Sequence, residues 1–193
     1  MKKYLGILVL LMVSISFCAK AQYNNIKIGI DNLRPILIYE RTTDENFSAE
    51  FGVEYGPIMS YEVPILSCTE TFTYKRTIYG LMSNLRAFPS KKHIAPNGFF
   101  IGTDIRYFII EDQISDIIVT NNLINFGANL GYQLIWGNFT METLIGFSDV
   151  INFSLDNSLR PKECHTGPEL NNVGKIRFQF CIGVIFPKFK KLK

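Results

Sequence analysis

No run of residues after position 21 approaches the ~20 apolar residues that a membrane-spanning helix needs. Charge of one sign is missing as well. The chain has 20 Lys and Arg, and Lys2, Lys3 and Lys20 lie in its first 21 residues, leaving 17 against 17 Asp and Glu. A nucleic-acid partner calls for a basic excess to neutralise phosphates, so that class is set aside. None of the four cysteines forms a Cys-x-x-Cys pair, which removes the usual zinc and dithiol redox motifs. Histidine is limited to His93 and His165, and no Gly-x-Ser-x-Gly elbow or phosphate-cradling glycine loop accompanies them. Glu163, Cys164 and His165 are consecutive, and adjacent residues rarely point at one ion. No catalytic residue, metal ligand or cofactor site can therefore be named, and a non-enzymatic protein is expected.

What is present begins with a targeting segment. Lys2 and Lys3 precede an apolar stretch over 4–17, and Ala19-Lys20-Ala21 is an A-x-A cleavage site. Phe17 stands before Cys18 where a lipoprotein signal needs a small residue. Residues 1–21 are read as a signal peptide and 22–193 as one domain.

The body of the chain alternates. In Phe47-Ser48-Ala49-Glu50-Phe51-Gly52-Val53-Glu54-Tyr55, apolar groups hold every odd position and small or charged groups every even one. A strand sorts residues this way, because its side chains point alternately to two faces. Eight such segments are expected: 24–31, 36–41, 47–56, 74–88, 98–110, 122–135, 139–152 and 173–186. Tight turns are expected around Leu33-Arg34-Pro35, over 42–46 and at Gly137-Asn138, with a longer turn over 89–97. Loops are expected over 57–72, 111–121 and 153–172. Long links after the third, fifth and seventh segments match the extracellular loops of an outer-membrane barrel. Tyr39, Phe47, Phe99, Trp136, Phe139 and Phe186 are outward aromatics placed near the opposite, periplasmic ends, where rings favour the headgroup level.

The chain resembles the small eight-stranded outer-membrane β-barrel proteins of unknown function, an OmpX-like class of Bacteroidetes-like bacteria. The residues that carry the resemblance are Ala21-Gln22, Tyr39-Glu40-Arg41, Phe51-Gly52-Val53-Glu54-Tyr55, Gly98-Phe99-Phe100-Ile101-Gly102, Arg106-Tyr107, Gly131-Tyr132-Gln133 and the terminal aromatic Phe186. Pro187 and a basic tail follow Phe186, a departure from the usual aromatic end. The resemblance implies an all-β, eight-stranded, antiparallel, up-and-down transmembrane barrel in a bacterial outer membrane, with membrane lipid around it. It brings no catalytic residues.

Parity places Lys27, Asp31, Glu40, Glu50, Glu54, Arg86, Asp104, Arg106, Glu142, Lys175 and Arg177 on the lumen side. An eight-stranded barrel is just wide enough for its own side chains. Unpaired buried charge is costly, so these groups are expected to pair as a plug. Arg106 and Arg177 should meet carboxylates such as Glu50, Glu54, Asp104 or Glu142. Cys68 and Cys164 fall in loops assigned to the oxidising face and can form a disulfide, whereas Cys181 falls mid-strand on the lumen side. The role expected is envelope integrity, or binding of an extracellular ligand through the loops. A soluble lipocalin-like carrier, a lipid-modifying enzyme and a pore are the alternatives.

Overall fold

In the computed structural model, residues 23–44, 46–64, 71–89, 96–114, 117–152 and 176–187 are described. They form eight strands: β1 (Tyr23–Asp31), β2 (Arg34–Asp44), β3 (Phe47–Pro64), β4 (Thr71–Ala87), β5 (Gly98–Ile114), β6 (Ile117–Trp136), β7 (Phe139–Asn152) and β8 (Ile176–Pro187). Each pairs antiparallel with the next, and β1 pairs with β8, so the sheet closes into a barrel. The signal segment, Cys68, Cys164, His93, His165, Lys175 and the basic tail lie outside the described residues.

Two short turns set the register. Asn32 and Leu33 both have positive φ, 46° and 68°. This is the I′ arrangement, whose twist suits a two-residue hairpin. Asn32 also ties the tip of that hairpin to β8. Its N–H donates to Phe178 O (3.0 Å), and its side-chain Oδ1 accepts from Phe178 N–H (2.9 Å). Gly137 leads the other turn at φ 62°, a position glycine holds without strain.

The register fixes the shape. From Asn24 the paired positions run through Arg41, Ala49, Leu85, Thr103, Ala128, Phe147 and Ile176. The β8–β1 register then returns the path about ten residues further along β1, a stagger that closes eight strands at a tilt of roughly 40°. Each residue therefore climbs about 2.5 Å along the barrel axis.

Several strands run past the ends their hydropathy suggests. β3 continues through 57–64, and the connection expected over 111–121 shrinks to 115–116 because β5 and β6 both extend. Of the long links expected after odd strands, the one after β5 is lost while residues 153–175 still separate β7 from β8, and 88–97 at the opposite end is also among the longer connections. The asymmetry lies in strand length. β1 and β2 stop at the Asn32-Leu33 turn, whereas β3, β4, β5 and β6 rise about 18 Å above the neighbouring rim as a four-stranded wall.

Candidate functional site

Polarity is inverted relative to a water-soluble barrel. Ile28, Leu81, Leu130, Ile145 and Phe180 are exposed on the outside, while Lys27, Arg86, Arg106 and Glu50 are buried inside. Outward aromatics gather at two heights. Tyr23, Phe47, Phe99, Trp136, Phe139 and Phe186 mark the level of the chain ends. Tyr55, Tyr79, Phe126 and Phe147 mark a second level, with Tyr107 beside them. By the stagger above, the levels are roughly 23 Å apart, against the ~25 Å apolar band of outer-membrane barrels. Tyr39 sits higher than the lower belt assigned to it, because β2 runs on to Asp44. Its hydroxyl reaches down to Asn24 Oδ1 at 2.8 Å.

The interior is built in two charged storeys. In the lower one, every strand except β5, β6 and β8 contributes a charge. Lys27 contacts Glu40 (3.2 Å), Glu142 (2.5 Å) and Glu50. Arg86 grips Glu142 with both terminal nitrogens, at 2.7 and 2.6 Å, and lies 2.6 Å from Glu50. β5 supplies Phe100 instead, whose ring centroid lies 4.2 Å from the Arg86 guanidinium. Neutral donors complete the carboxylates. Ser48, Asn25 and Gln133 donate to Glu40 at 2.8, 3.1 and 3.0 Å, and Asn84 donates to Glu50 at 2.9 Å.

The upper storey lies about 12 Å higher along the axis. Arg106 meets Asp31 (2.6 Å), Asp104 (2.8 Å) and Glu54 (3.3 Å). Arg177 meets Asp104 (2.6 Å) and Asp31 (3.3 Å). The Asp31 contacts are close in charge, but no N–H is aligned on its oxygens. Gly127 makes room here, since a Cβ on it would stand 2.7 Å from Asp104 Oδ1. Glu50 and Glu142, named above as candidate partners of Arg106 and Arg177, belong to the other storey. Asp31, Lys27 and Arg86, which parity already put on the lumen side, take central places, but the storey each joins was not named. One signal was available: Glu50, Glu142 and Lys27 lie three or four residues inward of Phe47, Phe139 and Tyr23, all belt residues.

Apolar layers cap the charges. Phe88, Phe100 and Leu144 form a buried cluster beside the lower storey, with Phe88 beneath it. Phe108, Ile110 and Leu123 form another above the upper storey, with Ile78 packed against it. Ile36, Ile38, Met82 and the free thiol of Cys181 fill the space between. Among the described residues the interior is filled by its own side chains, and reconstituted protein should show no steady single-channel conductance in planar bilayers. Large, stable current steps would contradict the packing.

Among the described residues no cluster of His, Cys, Asp and Glu is arranged to hold a metal ion. Every charged group in the two storeys faces an opposite charge, so the arrangement binds itself together.

No family model matches the chain, and no curated protein matches it. Solved structures do. The barrel is similar to the N-terminal β-barrel domain of OprF from Pseudomonas aeruginosa, at 12% identity and TM-score 0.45, over 86% of this chain and 98% of that one. It is also similar to CarO from Acinetobacter baumannii, at 8% identity and TM-score 0.48, with the same coverage.

Proposed function

We propose that the protein is an integral outer-membrane barrel without transport or catalytic activity, whose working surface is the projecting wall. The observation that carries the membrane reading is the exposed apolar band between two aromatic levels. Water would leave that band unsolvated, whereas lipid matches it and the rings suit both headgroup regions. A lipocalin-like carrier needs an open apolar interior, and this one is charged and filled. A pore needs an aqueous lumen, which the two storeys occupy.

Eight strands leave both chain ends on one side. With residues 1–21 acting as an export signal, that side is periplasmic and the wall stands outside the cell. There β3 residues 59–64 pair with β4 alone among the described residues, and Ile117–Thr120 of β6 pair with β5 alone. A wall of this kind offers a polypeptide or glycan partner a broad surface clear of the lipid headgroups. The partner's identity is a matter for binding experiments on whole cells.

The protein should resist carbonate extraction from envelopes and migrate faster on gels before heating than after. In a chain with Cys68, Cys164 and Cys181 replaced by serine, Thr120→Cys should react with an impermeant maleimide added to intact cells. Asn138→Cys, in the opposite turn, should stay unlabelled. Carbonate release into the soluble fraction would end the membrane reading, and labelling of Asn138→Cys alone would reverse the orientation.

A further inference from the structure

The outer wall is not uniformly convex. A groove of about 970 Å³ runs up it between the mid-height of the barrel and the upper aromatic level. Its floor is aliphatic: Ile28 and Ile30 from β1, Pro35 and Leu37 from β2, and Val53 from β3. Its banks are aromatic. Tyr55 and Tyr79 stand on one side as a tilted pair, ring centroids 5.5 Å apart, and Phe180 stands on the other. The groove exists because short side chains fall together on β1, β2 and β3 while rings flank them on β4 and β8. Phe126, Tyr132 and Phe147, spread over β6 and β7, do not line it. A second groove of about 750 Å³ descends from it to Trp136, Phe139 and Phe186 at the lower level, and Ile28 and Ile182 line both.

We propose that the upper groove is a binding site for one acyl chain of a membrane lipid in the leaflet nearer the projecting wall. The inference rests on the membrane reading, which puts only acyl chains at this height. The chemistry follows from the lining. Branched aliphatic side chains on the floor match a methylene chain, and flat rings on both banks restrict it laterally. At the upper end the Tyr55 and Tyr79 hydroxyls lie where the chain meets its ester and headgroup, so the site is wet only at its mouth. Continuity with the lower groove gives a long chain room to extend toward the middle of the bilayer. A lipid held this way exchanges more slowly than its neighbours, because it loses contacts on three sides when it leaves.

Two measurements test the site on the full-length exported protein. Native mass spectrometry after extraction in a mild detergent should find one phospholipid or glycolipid retained per barrel. Val53→Trp fills the groove floor and should lower that occupancy about tenfold. Leu130→Trp, on the far face, should leave it unchanged. Both variants must keep heat-modifiable migration. Separately, wild-type protein is reconstituted in phosphatidylethanolamine and phosphatidylglycerol vesicles carrying a diazirine-labelled acyl chain. Photolysis should place adducts preferentially on β1, β2 and β3 residues of the groove. Adducts spread evenly round the wall, or lipid retained equally by Val53→Trp, would overturn the site while leaving the membrane barrel intact. Loss of a dimer rather than of a lipid in Val53→Trp would assign the groove to a second copy and overturn it too. Failure to insert in the vesicles at all would instead strike the membrane reading.

Discussion

Lys27→Met should lower unfolding stability by about 3–5 kcal/mol, the usual penalty for breaking a buried ion pair from one side. Lys27 has no exposed surface and faces Glu40, Glu50 and Glu142, all themselves buried. Without its ammonium, three carboxylates share the single guanidinium of Arg86. Methionine keeps most of the volume, so the loss is electrostatic and leaves packing nearly intact. Adding Glu50→Gln removes one of the surplus charges and should restore part of the stability. The measurement is urea unfolding in phospholipid vesicles, followed by heat-modifiable migration. A Lys27→Met midpoint equal to wild type would mean that the lower storey contributes little, and the reading of it as a stabilising plug would fall.

Phe51→Arg and Leu130→Arg should each cost about 2–4 kcal/mol, because by register both point outward near the mid-height between the two belts. Leu134→Arg should cost no more than about 1 kcal/mol, since it lies at the lower belt, where a long cationic side chain reaches headgroups. The gradient with height is the informative quantity. Equal costs at all three sites would contradict a bilayer around the band. Arginine tolerated at Phe51 and Leu130 would indicate water there.

How much of this was legible in the sequence follows from the physics of each region. Between the belts one face is an exposed apolar band and the other a packed interior, so side chains alternate strictly and the inward set can be named from parity. Above the upper belt both faces of the wall lie clear of the apolar band, and nothing forces alternation. Segments such as 57–64 and 111–114 therefore read as loops although they are strand. The same loss of contrast made the 111–121 connection look long. Partners inside the barrel were hidden for another reason. Glu50 and Glu54 share a strand and a face, yet four residues of climb put them in different storeys. Which charges share a storey depends on the stagger of the closed sheet, and that is set jointly by all eight pairings. Tyr39 shows the related error in one residue: its distance from the lower belt depends on where β2 ends, which polar Thr42, Thr43 and Asp44 concealed.

The lower storey joins groups that the chain keeps far apart. Lys27 reaches Glu142 across 115 positions, and Arg86 reaches Glu142 across 56. The Lys27–Glu142 contact is missing from a growing, unclosed sheet, because β1 and β7 come within reach of each other only after β8 has met β1. An open sheet keeps pairs between neighbouring strands, such as Lys27–Glu40 and Arg86–Glu50, but lacks Lys27–Glu142, so part-built barrels are penalised relative to the finished barrel. Closure and the last of the charge pairing then arrive together. Opening of the β1–β8 seam, which parts Lys27 from Glu142 while the other seven strand pairs stay joined, reverses that step.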